Sequence, residues 1–155
     1  MASRFEEAPS QVVNKVKEVI RDKFPVLNGC NIEVVMDLKK RKSGGTYTLV
    51  KLDKASPILR HISADNTNPE GVDYILYLDK TVYDEMIDRD KVRIISHGLH
   101  HADCDFEKEM PYGVRKPTVQ TFYEEISENA DDDRWSERLD LMAESIYDRD
   151  ESTNG

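Results

Sequence analysis

The stretch that most constrains this chain runs from Val72 to Asp103. It begins with "VDYILYL", apolar at most positions and rich in β-branched and aromatic residues, the strongest strand signal in the sequence. "TVYDEMI" follows and reads as a short helix or turn. Then "KVRIISHGLHHAD" sets Ile94, Ile95 and Leu99 at helical spacing, with Asp90 placed to N-cap them, which predicts a helix running to about Asp103. A strand feeding an amphipathic helix in this way belongs to a sheet that helices cover.

The flanking segments extend that pattern. Residues 1–8 read as loose, and Pro9-Ser10 opens a helix whose Val12, Val13, Val16, Val19 and Ile20 form one apolar face. Pro25 and Asn28-Gly29 end it. "NIEVVMDL" reads as a strand, and "TYTLVKLDK" as its hairpin partner across Ser43-Gly44-Gly45. "SPILRHI" reads as a turn of helix or an irregular strand, and residues 64–71 as a loop. Beyond a loop at Pro111-Tyr112-Gly113, "PTVQTFYEEISENA" predicts a helix opened by Pro117. A last helix, "RWSERLDLMAESIY", puts Trp135, Leu139, Met142 and Ile146 on one side, followed by a frayed acidic tail. The expected fold is α+β: a small, mostly antiparallel sheet of about three strands with an N-terminal helix, the histidine helix and C-terminal helices. Residues 1–130 read as the domain proper, and residues 131–155 as an acidic helix and tail.

Composition narrows the function classes. The chain has 155 residues, 38% hydrophobic and 34% charged, which suits one soluble domain with a core of its own. Its net charge of -9 is unevenly placed. From Glu124 onward there are 12 acids and 3 bases, while the 19 acids and 19 bases before it cancel. That balance argues against a direct nucleic-acid binder, whose footprint is a basic patch. The dense cluster "KKRK" (Lys39–Lys42) sits before two glycines and reads as a solvated turn. Two cysteines, Cys30 and Cys104, form no CxxC pair and no disulfide framework. With no membrane-spanning run and no apolar signal core, the chain reads as cytoplasmic.

The chemistry concentrates in "HGLHH". His97 and His101 stand four apart, so on a helix they share a face and can grip one tetrahedral zinc ion through ring nitrogens. In the HExxH pattern a glutamate after the first histidine deprotonates the metal-bound water. Here that position is Gly98. A mid-helix glycine costs roughly 0.8–1.0 kcal/mol against alanine. Either something packs close to the backbone there, or a functional residue has been lost. His61 is isolated and reads as structural, Cys104 as packing, and Ser96 lies in no nucleophile elbow.

Four stretches carry a resemblance: "FEEAPSQVVNKV", "YILYLDKTVYDEM", "KVRIISHGLHH" and "YGVRKPTVQTFYEEI". Over about Phe5 to Ile126 the sequence resembles the metallopeptidases of phages and prophages, small zincin-like domains. His97 and His101 fall on the two histidine ligands, and Gly98 falls on the catalytic glutamate. "PTVQTF" falls on the segment where such proteins show HDVxEF, without its histidine or aspartate. The resemblance implies a zinc cofactor and a protein or peptide substrate. Gluzincin-type zinc enzymes take a carboxylate from a following helix, and on that likeness Glu125, 24 residues after His101, is the expected third ligand, with Asp103, Asp105 and Glu107 as further candidates. Tyr112 and Tyr123 read as core or rim aromatics that could serve as oxyanion donors. The expected activity is zinc-assisted peptide hydrolysis, weak or lost because Gly98 supplies no base. The alternative is a non-catalytic phage binding or inhibitor protein that engages a partner through its acidic C-terminal surface.

Overall fold

The computed structural model describes residues 4–43, 45–105, 107, 112–115, 125, 128–132 and 134–154. The fold is α+β. Its main sheet holds strands β1 (Phe5–Glu7), β2 (Ile32–Asp37), β5 (Val50–Lys54) and β6 (Tyr74–Asp79), in the order β1-β2-β6-β5. Two small hairpins add β3 (Lys42–Ser43) with β4 (Thr46–Tyr47), and β7 (Ala102–Cys104) with β8 (Tyr112–Val114). The described helices are α1 (Ser10–Lys23), α2 (Pro57–Ser63), α3 (Lys80–Tyr83), α4 (Asp88–His100) and α5 (Trp135–Asn154).

The sheet is larger than expected and mixed. The strands at 32–37 and 50–54 do not form a hairpin. β6 lies between them, parallel to β2 with Ile32 opposite Tyr74, and antiparallel to β5 with Leu52 opposite Leu76. A short antiparallel pairing does set Lys42 opposite Tyr47 and Ser43 opposite Thr46, but it holds only β3 and β4. The reason is burial. Tyr74, Leu76 and Leu78 are fully inaccessible, so β6 gains most by taking the centre, where each such side chain stabilises by about 1.5–3 kcal/mol. Residues 5–7, expected to be loose, pair with β2 as an exposed edge. The 112–114 stretch, expected as a loop, is a strand. The predicted helix at 117–130 falls mostly outside the described residues.

Helix α1 buries Val12, Val16, Val19 and Ile20, and α4 buries Ile94, Ile95 and Leu99, all in one cluster with the sheet. The N-terminal cap of α4 is Ile87, not Asp90, which is 2% exposed and is held by Arg93 and Arg138 instead. Helix α5 runs past the expected frayed tail to Asn154. Its Trp135, Leu139, Ala143, Ile146 and Tyr147 enter the same apolar cluster. Polar contacts reinforce this docking. Asp140 Oδ1 accepts the Tyr47 backbone N–H at 2.8 Å, and the Tyr47 and Tyr147 rings stack at 5.2 Å.

The Tyr147 hydroxyl donates to Asp79 Oδ2, while Asp79 Oδ1 caps α3 through Val82 N at 3.0 Å. Burial pushes the Asp79 carboxyl above its usual range, against the opposing hydrogen bond from Tyr147. The folded state therefore binds this proton more tightly than the unfolded chain. The group lowers stability as pH rises from the ordinary carboxylate range through the raised value. Tyr147→Phe keeps the stacked ring and removes only the hydroxyl. The expected loss is about 1–3 kcal/mol at neutral pH, read from urea denaturation, because a buried carboxylate oxygen loses its donor.

Candidate metal centre

Helix α4 is built to present histidines at its C-terminal end. Asp88 and Asp90 lie in its first turn and His97 and His100 in its last, the sense that the helix dipole favours. Ile94, Ile95 and Leu99 fasten it inward. His97 and His101 then share a face, with ring centroids 5.4 Å apart and planes perpendicular. His100 points elsewhere: it is buried edge-on to Phe24 at 4.8 Å, with Nε2 at 3.2 Å from Glu128.

Arg115 closes the end of the helix. Its guanidinium Nε donates to the His100 carbonyl at 2.7 Å, and its backbone N–H donates to the His101 carbonyl at 2.6 Å. This double hold brings the Arg115 carbonyl within 2.9 Å of His101 Nδ1. A carbonyl only accepts, so His101 donates from Nδ1. Burial also lowers the His101 pKa, which favours the neutral ring. In that tautomer the lone pair is on Nε2.

Glu125 meets the other histidine. Its side chain is fully buried, and Oε1 lies 2.8 Å from His97 Nδ1. The second oxygen, Oε2, has no hydrogen-bond partner among the described residues. The Trp135 ring stands edge-on to His97 at 5.9 Å. His97 and His101 line a cleft of about 1000 Å³, walled on one side by Leu49 and Val50 and on the other by Trp135 and Leu141 of α5. That is a volume suited to a ligand. The outer edge of β5 borders it with no strand paired to it among the described residues.

Of the residues singled out in the sequence, His97, His101 and Glu125 come together. They do not form a ready cage: among the described residues, no three His, Cys, Asp or Glu side chains are grouped to hold a metal ion. The distances say why. Two ligands of one tetrahedral zinc, each about 2.0–2.1 Å from it, lie about 3.3 Å apart. The 2.8 Å between Glu125 and His97 is the length of a hydrogen bond.

The other candidates lie elsewhere. Asp103 is exposed on β7 opposite Gly113, and Asp105 accepts the Glu107 backbone N–H at 3.1 Å. Cys104 packs 4.0 Å from the Tyr74 hydroxyl, and burial pushes its thiol pKa up. Tyr112 sits edge-on to Tyr74 at 5.7 Å, Ser96 is buried, and His61 is exposed on α2. Tyr123 lies outside the described residues. The roles of Arg115 and Trp135 were not foreseen, because neither is near the histidine pair in sequence.

Gly98 has a physical explanation. A Cβ added there would lie 2.6 Å from Val50 Cγ2 and 2.9 Å from Leu76 Cδ1. Of the two explanations the sequence offered, close packing is present. The glycine lets α4 settle against β5 and β6.

A histidine helix laid on a mixed sheet at the edge of a ligand-sized cleft defines the class: an α+β domain with a candidate metal centre. Over residues 3–147 the sequence matches the family model described as "Putative phage metallopeptidase", and the chain belongs to that family. No curated protein and no solved structure matches it. Family membership points to a metal cofactor and to a protein or peptide substrate. None of the helices among the described residues is long and apolar enough to cross a membrane.

Proposed function

We propose that this chain is a zinc-binding domain of metallopeptidase type with weak or no hydrolytic activity. His97 and His101 supply two ligands through Nε2, and Glu125 completes the constellation as the partner of His97. The observation that carries the reading is that both histidines, on one helical face lining the cleft, have Nδ1 set against an oxygen acceptor. Metal-binding imidazoles need that outer hydrogen bond to fix tautomer and ring direction. The buried Glu125 carboxylate supplies that acceptor for His97.

Bound zinc would polarise a peptide carbonyl and acidify a water. The protein's share is to orient: Arg115 fixes His101, Glu125 fixes His97, and the edge of β5, with no strand paired to it among the described residues, borders the cleft where an extended peptide would lie. What this chain does not supply is a carboxylate at position 98, so proton abstraction from water lacks the positioned base worth about 10²–10⁴ in rate.

Elemental analysis of the purified, untagged protein tests the reading. About one zinc per chain is expected, lost in His97→Ala. No metal in the parent protein, even after zinc is added, would overturn it. That result would leave a fold kept for binding a partner, with the acidic surface of α5 as the first place to look.

A further inference from the structure

We infer that Glu125 is a positioning residue: it accepts a hydrogen bond from His97 Nδ1 and so locks the ring in the tautomer that turns Nε2 toward the cleft. The inference rests on the metal-binding reading above for its purpose, but not for its geometry. Glu125 Oε1 lies 2.8 Å from Nδ1, and the carboxylate is fully buried. A hydrogen bond of that length with the carboxylate as acceptor puts the proton on Nδ1.

The ring position follows. Nδ1 and Nε2 point to opposite sides of an imidazole. With Nδ1 committed to the buried carboxylate, Nε2 faces away from it, and His97 lines the cleft. A metal on that nitrogen would lie about 2.0–2.1 Å beyond it, out of reach of a carboxylate bound to the opposite edge. Glu125 and a metal therefore hold different edges of the same ring. His101 repeats the arrangement with a backbone carbonyl, 2.9 Å from its Nδ1, in place of the carboxylate. The pair is thus presented by two unlike devices. One is a main-chain oxygen fixed by the cap that Arg115 forms, and the other is a side chain from a separate segment.

Long-range ¹H–¹⁵N correlation of the histidine rings in the full-length, metal-free protein tests this, with His97 assigned by its absence in His97→Ala. The expected result is a protonated Nδ1 and an unprotonated Nε2 on His97. In Glu125→Gln the tautomers should mix, because an amide can donate as well as accept. A dominant Nε2–H tautomer in the parent protein would overturn the inference. Titration with zinc adds the second readout. Nε2 of His97 is expected to shift while Nδ1 keeps its proton, and Glu125→Gln should weaken zinc binding about 10–100-fold. Loss of the Nδ1 proton on zinc binding, or unchanged affinity in the variant, would overturn the positioning role. If the variant does not fold, the spectra of the parent protein decide alone. If zinc leaves every ring nitrogen unmoved, the metal-binding reading fails, and the metal-free tautomer still decides what Glu125 does.

Discussion

Gly98→Glu alone is expected to yield no zinc-dependent hydrolysis and to destabilise the chain by about 1–3 kcal/mol, the usual cost of overfilling a packed site. The new Cβ would meet Val50 Cγ2 at 2.6 Å and Leu76 Cδ1 at 2.9 Å. Leu76 can turn the end of its side chain. Val50 is β-branched and stiff, and its methyl groups are fixed by the strand. The gain in helix propensity on replacing glycine, about 0.8–1.0 kcal/mol at most, does not offset that contact. Combining Gly98→Glu with Val50→Ala removes the obstructing methyl groups. The pair should recover stability beyond the sum of the single changes, a coupling of about 0.5–3 kcal/mol in a double-mutant cycle. It should also raise zinc-dependent cleavage of a fluorogenic peptide library by about 10²–10⁴ over the parent. Additive stabilities would show that Val50 does not restrict position 98. A stable, zinc-loaded double variant without a rate gain would show that the new carboxylate does not reach the water.

Asp90→Ala should be the most destabilising single change outside the apolar core, costing about 3 kcal/mol. Asp90 is 2% exposed and accepts from Arg93 at 2.8 Å and from Arg138 at 2.6 and 2.8 Å. It ties α4 to α5. Removing one member of a buried ion pair typically costs about 3–5 kcal/mol, because the partner charge stays behind. The low end applies here. Arg138 is 43% exposed and can turn to water, and Arg93 keeps its contact with Asp131. Hydrogen bonds from Arg138, opposed by burial, hold the Asp90 carboxyl below its ordinary range. The stabilisation is therefore complete above the ordinary carboxylate pKa and is lost as pH falls through the lowered value. Urea denaturation of the parent and Asp90→Ala should show the gap at neutral pH and its closing in acid. A gap that persists below the lowered value would assign the effect to packing instead.

The legible parts of this molecule were those written in local periodicity. The apolar stripes of α1 and α4, and the continuous apolar run of β6, specified their elements because burial on a helix or strand repeats at fixed intervals. Pairing between strands is not local. Nothing in residues 32–37 announces that their neighbour begins at Tyr74 and not at Thr46, and β1 is exposed at every position, so it carries no alternation to read. Asp90 shows the same limit. Its place before an apolar run suggests a cap, while its role is set by Arg138, 48 residues away. At the candidate site, helical spacing disclosed His97 and His101, and the resemblance drew in Glu125. Which edge of His97 the carboxylate would hold depended on the approach of a separate segment. The reason for Gly98 lay on β5, which sequence alone could not place beside it.

The central position of β6 also sets the order in which the chain can assemble. As the polypeptide emerges from the ribosome, β2 and β5 are both complete before Tyr74 appears, yet the strand that lies between them is missing. The early segment can form α1 and the short β1–β2 ladder, but it has no sheet wide enough to bury them. The arrival of one six-residue strand joins its two flanking partners and gives α4 its platform at once. Such long-range closure slows folding and leaves apolar strand surface open for longer. Assembly of this protein therefore waits on its middle, and the histidine pair, synthesised just after β6, meets a floor that has only then been laid.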